Sequence, residues 1–141
     1  MGADVLIDTG AILALLDEGD RWHYRCLETI RQLRFPVLTS EAVLTETFHL
    51  IRRSRTQMEA VWGLHRSGMI ALAPVENSEL LQIGALMTRY KDRPMDFADA
   101  TLVYLAERES IQAILTVDQM DFAVYRIGGK GRFHILPVER P

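Results

Sequence analysis

Cysteine is almost absent. Cys26 stands alone among 141 residues, so no internal disulfide staples the chain. It lies in a helical stretch and reads as a small packing residue rather than a reactive thiol. The histidines His23, His49, His65 and His134 show no ligand spacing, which argues against a zinc site. No apolar run approaches bilayer-spanning length, and the opening Met1-Gly2-Ala3-Asp4 lacks the basic start of a secretory leader. These absences predict a cytoplasmic protein with no membrane segment. Positive charge is not in excess. The net charge is −3, unlike a protein coated for nucleic-acid binding, although an enzyme that concentrates its acids in one site escapes that rule. No Gly-x-Gly-x-x-Gly, P-loop or Gly-x-Ser-x-Gly occurs, which removes the common dinucleotide, nucleoside-triphosphate and serine-hydrolase motifs. Repeats, low-complexity tracts and long linkers are missing too, so residues 1–141 read as a single domain.

What is present is an ordinary globular composition, 48% apolar and 25% charged. A chain this long can bury a core without staples. Val5-Leu6-Ile7 reads as a short buried strand ended by Asp8-Thr9-Gly10, with a helix under way by Ala11–Leu16. Asp20 is placed as the N-cap of a helix reaching Leu33. Phe35–Leu38 reads as a strand, and Thr39-Ser40 cap a helix to about Arg53. Further helices are expected over Gln57–Arg66, Glu79–Tyr90 and Asp96 to about Glu109. Strands are expected at Ile70–Ala73, Ala113–Val117 and Phe133–Leu136. The strands are compact apolar runs without strict alternation, as when both faces are covered. Alternating strands and helices predict an α/β fold: three layers, α/β/α, around a short, mostly parallel sheet.

In such a sheet ligands bind outside the carboxyl ends of the strands. Asp8 directly follows the first strand, and Asp118 follows Ala113–Val117. Glu46 lies about two turns into the helix after the second strand. Asp99 stands in the first turn of an otherwise apolar helix. Four carboxylates from four parts of the chain therefore share one edge. Clustered carboxylates repel, and burial penalises each charge further. An all-oxygen cluster suits a hard cation such as Mg²⁺ or Mn²⁺, whose chemistry is activating water and steadying phosphoryl charge. Each acid also has a structural explanation. Asp96 with Asp99 can form a capping box, Asp118 can cap a short helix ahead of Asp121, Asp8 can initiate a turn, and Glu46 can be a surface residue. Thr9 and Thr116 flank the edge as candidates to orient bound water or phosphate. Arg52, Arg53 and Arg55 form a basic cluster after the Glu46 helix and are candidate phosphate-backbone contacts. Basic residues also cluster at Arg89, Lys91 and Arg93, and at Lys130 and Arg132.

Together these motifs resemble the PIN-domain family. Val5-Leu6-Ile7-Asp8-Thr9-Gly10-Ala11-Ile12-Leu13 resembles its opening strand and first acid. Leu44-Thr45-Glu46 resembles its second acid, and Pro94-Met95-Asp96-Phe97-Ala98-Asp99-Ala100 resembles its third. Leu115-Thr116-Val117-Asp118 with Asp121-Phe122 resembles its fourth. Gly10 departs from the pattern, since many members carry serine there, and Asp96 is an additional acid. The resemblance implies a divalent-metal-dependent endoribonuclease, most like the VapC-type toxins of toxin–antitoxin pairs. It implies that Asp8 and Asp99 hold the main Mg²⁺ (or Mn²⁺), with Glu46 and Asp118 completing the site. It further implies an RNA substrate, a homodimer, and a small antitoxin whose tail covers the acids.

Two other readings compete. A phosphotransfer domain built on Asp8 would want a second Asp two residues later, where Gly10 stands, or paired acids with a lysine after the strand near Thr116. A non-catalytic RNA- or partner-binding module would keep its effect when Asp8 is replaced by alanine.

Overall fold

The computed structural model describes residues 2–138, so the extreme ends of the 1–141 range lie outside the described residues. The first strand, β1 (Val5–Ile7), is fully buried and leads straight into helix α1 (Thr9–Leu16). Helix α2 (His23–Arg31) returns the chain to β2 (Val37–Thr39). A helical hairpin, α3 (Glu41–Leu50) and α4 (Arg55–Arg66), connects to β3 (Ile70–Leu72). A 3-10 turn (Asn77–Glu79) precedes α5 (Leu80–Arg89) and then α6 (Phe97–Arg108). β4 (Ala113–Leu115), α7 (Gln119–Val124), the small strands β5 (Arg126–Ile127) and β6 (Gly131–Arg132), and β7 (His134–Leu136) complete the order.

The main sheet has five strands in the order β3-β2-β1-β4-β7, all parallel. Leu6 is the register centre, opposite Leu38 on one side and Ile114 on the other. The chain first builds outward from β1 to β3, then crosses back to β4 on the other side of β1. Right-handed crossovers place α1–α4 on one face and α5–α6 on the opposite face. The strand order therefore reverses between β1 and β4, where a crevice opens at their carboxyl ends.

Helix α6 is the main internal element. Ala98, Ala100, Leu102, Val103, Leu105 and Ala106 are all buried. Fully burying a leucine contributes about 2 kcal/mol, so Leu102 and Leu105 alone anchor this helix firmly. The core is one continuous cluster that includes Ile7, Ile12, Ile30, Ile83, Ile114 and Phe122. Cys26 is wholly buried, and burial pushes its thiol up to about 11, as an inert packing residue requires.

The element boundaries differ from expectation where local side chains intervene. Asp20 is not a helix cap. Its carboxylate accepts from the Trp22 N–H in a preceding turn, so α2 starts later, with Trp22 at the N-cap, and ends at Arg31 rather than Leu33. Helix α3 stops at Leu50 rather than near Arg53, because Ser54 caps α4 by accepting from the Gln57 N–H. The expected helix from Glu79 begins as the 3-10 turn one residue group earlier. The β5–β6 hairpin was not anticipated, since its strands have two residues each. Gly128 and Gly129, at φ 59° and 79°, make its turn.

Candidate metal centre

Asp8 sits at the N-cap of α1, immediately beyond β1, and is only 2% exposed. One carboxylate oxygen accepts from the Thr9 N–H at 2.7 Å and the other from the Thr116 hydroxyl at 3.1 Å. Thr116 is fully buried just after β4, and its hydroxyl oxygen also accepts from the Asp118 N–H at 3.0 Å. One threonine thus ties the first and fourth acids together across the switch point.

The remaining positions are held as firmly. Ser40 caps α3 by accepting from the Val43 N–H, and its hydroxyl lies 2.8 Å from that of Thr101 on α6. That pair locks the helix carrying Glu46 to the helix carrying Asp99. Asp96 and Asp99 form the capping box of α6: the Asp99 N–H donates to Asp96 at 2.8 Å, and the Asp96 N–H reaches Asp99 at 3.4 Å. Both acids benefit from the positive end of the helix dipole. Asp118 occupies the N-cap position of α7 but makes no side-chain cap bond, so the cap explanation fails for it. The Gln119 amide holds that turn by donating to the Pro137 carbonyl at 2.9 Å.

Electrostatics couple the acids through repulsion. Burial pushes the Asp8 carboxyl up to about 7, against the Thr9 N–H, and Asp118 and Glu46 raise it further. Burial likewise pushes Asp99 up to about 8, followed by the charges of Asp8 and Asp96. Asp118, though exposed, is also raised, by desolvation first and then by Asp121, Glu46 and Asp96. The ion pairs Arg34–Asp4, Arg66–Glu59, Arg108–Glu79 and Arg108–Glu109 lie elsewhere, and among the described residues none reaches Asp8, Glu46, Asp99 or Asp118. Acids pushed up by burial first and by one another's charge next are what a divalent cation would relieve. No three His, Cys, Asp or Glu side chains among the described residues form a finished metal cage. The fit therefore rests on the donor chemistry, hard oxygens suited to an ion that keeps several waters and binds through one or two carboxylates.

The structure thus brings Asp8, Glu46, Asp99 and Asp118 close enough to act on one another's charge, with Asp96 exposed beside them. Thr9 behaves differently from Thr116. Its hydroxyl turns to the Val43 carbonyl at 3.4 Å, and only its N–H serves the acid. Arg52, Arg53 and Arg55 are exposed at the α3–α4 turn, away from the acids themselves. Sequence reasoning missed the Ser40–Thr101 lock, whose partners lie 61 residues apart. It also missed Tyr125, whose fully buried hydroxyl has no hydrogen-bond partner among the described residues and whose surroundings include Asp99 and Asp121.

An α/β/α domain with a cation-seeking carboxylate group at the switch point of a parallel sheet is the class these features define. The model of the PIN domain matches residues 5–127. Ribonuclease VapC26 of Mycobacterium tuberculosis is 32% identical over 136 residues, covering 94% of this chain and 100% of that protein. The crystal structure of Mycobacterium tuberculosis VapC20, a sarcin–ricin-loop-cleaving toxin, superposes with a TM-score of 0.70 at 26% identity, over 78% of this chain and 86% of that one. This chain belongs to the PIN-domain family, among its VapC-type members. Ribonucleases of that family are generally dependent on divalent metal.

Proposed function

We propose that this protein is a divalent-metal-dependent endoribonuclease and the toxin of a toxin–antitoxin pair, acting as one domain over residues 1–141. The observation that supports the reading is the carboxyl end of β1 and β4, where four carboxylates raise one another's charge cost with no ion-pair partner among the described residues. Asp8 and Asp99 are assigned as the principal ligands of Mg²⁺ or Mn²⁺, with Glu46 and Asp118 completing the set. Such an ion, when bound, supplies water activation and charge stabilisation at a phosphoryl group. The chain's own residues do the positioning. Thr116 and the Thr9 N–H fix both oxygens of Asp8, the Ser40–Thr101 contact sets Glu46 against Asp99, and the capping box with Asp96 orients Asp99. A carboxylate so held is poorly placed to act as a phosphoryl acceptor, which disfavours phosphotransfer through Asp8.

The partners assigned are an RNA substrate, met in the cytoplasm, a small antitoxin, and a second copy of the chain. An apolar groove of about 510 Å³ between α3 and α4, walled by Leu44, Phe48, Trp62 and Leu72, supports docking of a partner protein. The test is cleavage of a mixed RNA pool with Mg²⁺ or Mn²⁺, with chelator, and by Asp8→Ala and Asp99→Ala, alongside circular-dichroism melts. Cutting that needs the metal and both acids, from variants that remain folded, is the expected result. An in vivo effect undiminished in Asp8→Ala would instead identify a binding module.

A further inference from the structure

Phe97 is the first helical residue of α6, and it breaks that helix's habit. Its apolar neighbours along α6 are buried, but Phe97 keeps 45% of its surface exposed. The ring walls an open cleft of about 570 Å³ between α3 and the first turn of α6. Its lining includes the carboxylates of Glu41, Glu46 and Asp96, with Thr45 and His49. Glu46 and Asp96 belong to the acid group, so the cleft begins where the acids end.

The charge pattern selects among ligands. Carboxylates along the cleft repel a phosphate, so its interior suits a neutral, flat group. The Arg52 guanidinium donates to the backbone carbonyl of His49, a lining residue, at 2.9 Å, which sets a cation beside the cleft. Acid group, aromatic ring and cation therefore adjoin one cleft. Single-stranded RNA presents a matching series of phosphate, base and phosphate, and its bases are commonly read by stacking on aromatic side chains. Resting on the ribonuclease reading, we propose that this cleft takes the nucleobase beside the scissile phosphate, stacked on Phe97, with the next phosphate held by Arg52.

Phe97 is exposed, so Phe97→Ala and Phe97→Trp leave the core intact. The first measurement is 2-aminopurine fluorescence of a single-stranded RNA titrated with chelator-treated protein. Wild type and Phe97→Trp should quench it, and Phe97→Ala should bind about tenfold more weakly with little quench. The second is steady-state cleavage. Phe97→Ala should raise KM about tenfold with kcat nearly kept, the signature of lost uniform binding. An RNA that is abasic beside the cut should reduce wild type to the level of Phe97→Ala and cost the variant nothing more. Equal quench and equal KM in wild type and Phe97→Ala would overturn the assignment and give the ring to a protein contact. A wild-type protein that cuts no RNA would count against the ribonuclease reading, while the fluorescence titration would still decide the cleft.

Discussion

Replacing Asp8 by asparagine should stabilise the metal-free protein while abolishing its cleavage. Burial and neighbouring acids move the Asp8 carboxyl from an ordinary 3.8 to about 7, so its ionised form is disfavoured by at most about 4 kcal/mol. The folded chain then binds a proton that the unfolded chain releases. Stability is fully present below the unfolded value and is lost as pH rises through about 7. Asparagine has the same shape and no charge. Its oxygen can still accept from the Thr9 N–H, and its amide can donate to the Thr116 hydroxyl, at the loss of charge-assisted strength worth about 1–2 kcal/mol. The net gain at pH 8 is about 2 kcal/mol, or roughly 6 °C in melting temperature. The assay is thermal melting in chelator from pH 5 to 9. Wild type should melt progressively lower as pH rises, the variant should change less, and Mg²⁺ should restore wild type far more. A wild-type melting temperature that stays flat or climbs across that range, or a variant less stable than wild type at pH 8, would refute the reasoning.

Three further outcomes are expected. Asp96→Ala removes the cap of α6 and should cost about 1 kcal/mol in a denaturant melt while leaving measurable cleavage, because Asp96 is exposed beside the acid group. Thr116→Val leaves the Asp118 N–H without its partner and Asp8 with the Thr9 N–H as its remaining donor, so stability should fall by about 1–3 kcal/mol and calorimetric Mn²⁺ affinity should drop, both restored by Thr116→Ser. Neutralising Arg52, Arg53 and Arg55 together should weaken RNA binding for all sequences and reduce the salt slope by about 0.7 per lost phosphate contact.

The acids were legible because their positions follow from topology. A carboxylate placed just after a buried apolar run lands at the carboxyl edge of a parallel sheet, whatever its long-range partners are. Asp8 and Asp118 illustrate this, and the capping box of Asp96 and Asp99 was readable from its spacing of three. Long-range hydroxyl contacts were not legible. Thr9 and Thr116 look alike in sequence, each beside an acid. Only tertiary packing turns the Thr9 hydroxyl to Val43 on α3 and the Thr116 hydroxyl to Asp8. Phe97 was read as part of an apolar helix face because periodicity cannot tell that the helix begins at a cleft. Asp20 failed as a helix cap for a related reason, since a turn of its own satisfied it first.

Gly10 departs from the serine common in the family, and the fold supplies the reason. A Cβ on Gly10 would come within 2.3 Å of the Val117 methyl carbon Cγ2, far inside any tolerable contact. Gly10 lies two residues past Asp8, and Val117 lies one before Asp118. These positions interlock like a key and its ward, each leaving room that the other fills. Substitutions at the two positions are accordingly coupled. Serine at position 10 needs a smaller side chain at position 117, and set opposite valine it would press apart the two turns that carry the first and fourth acids.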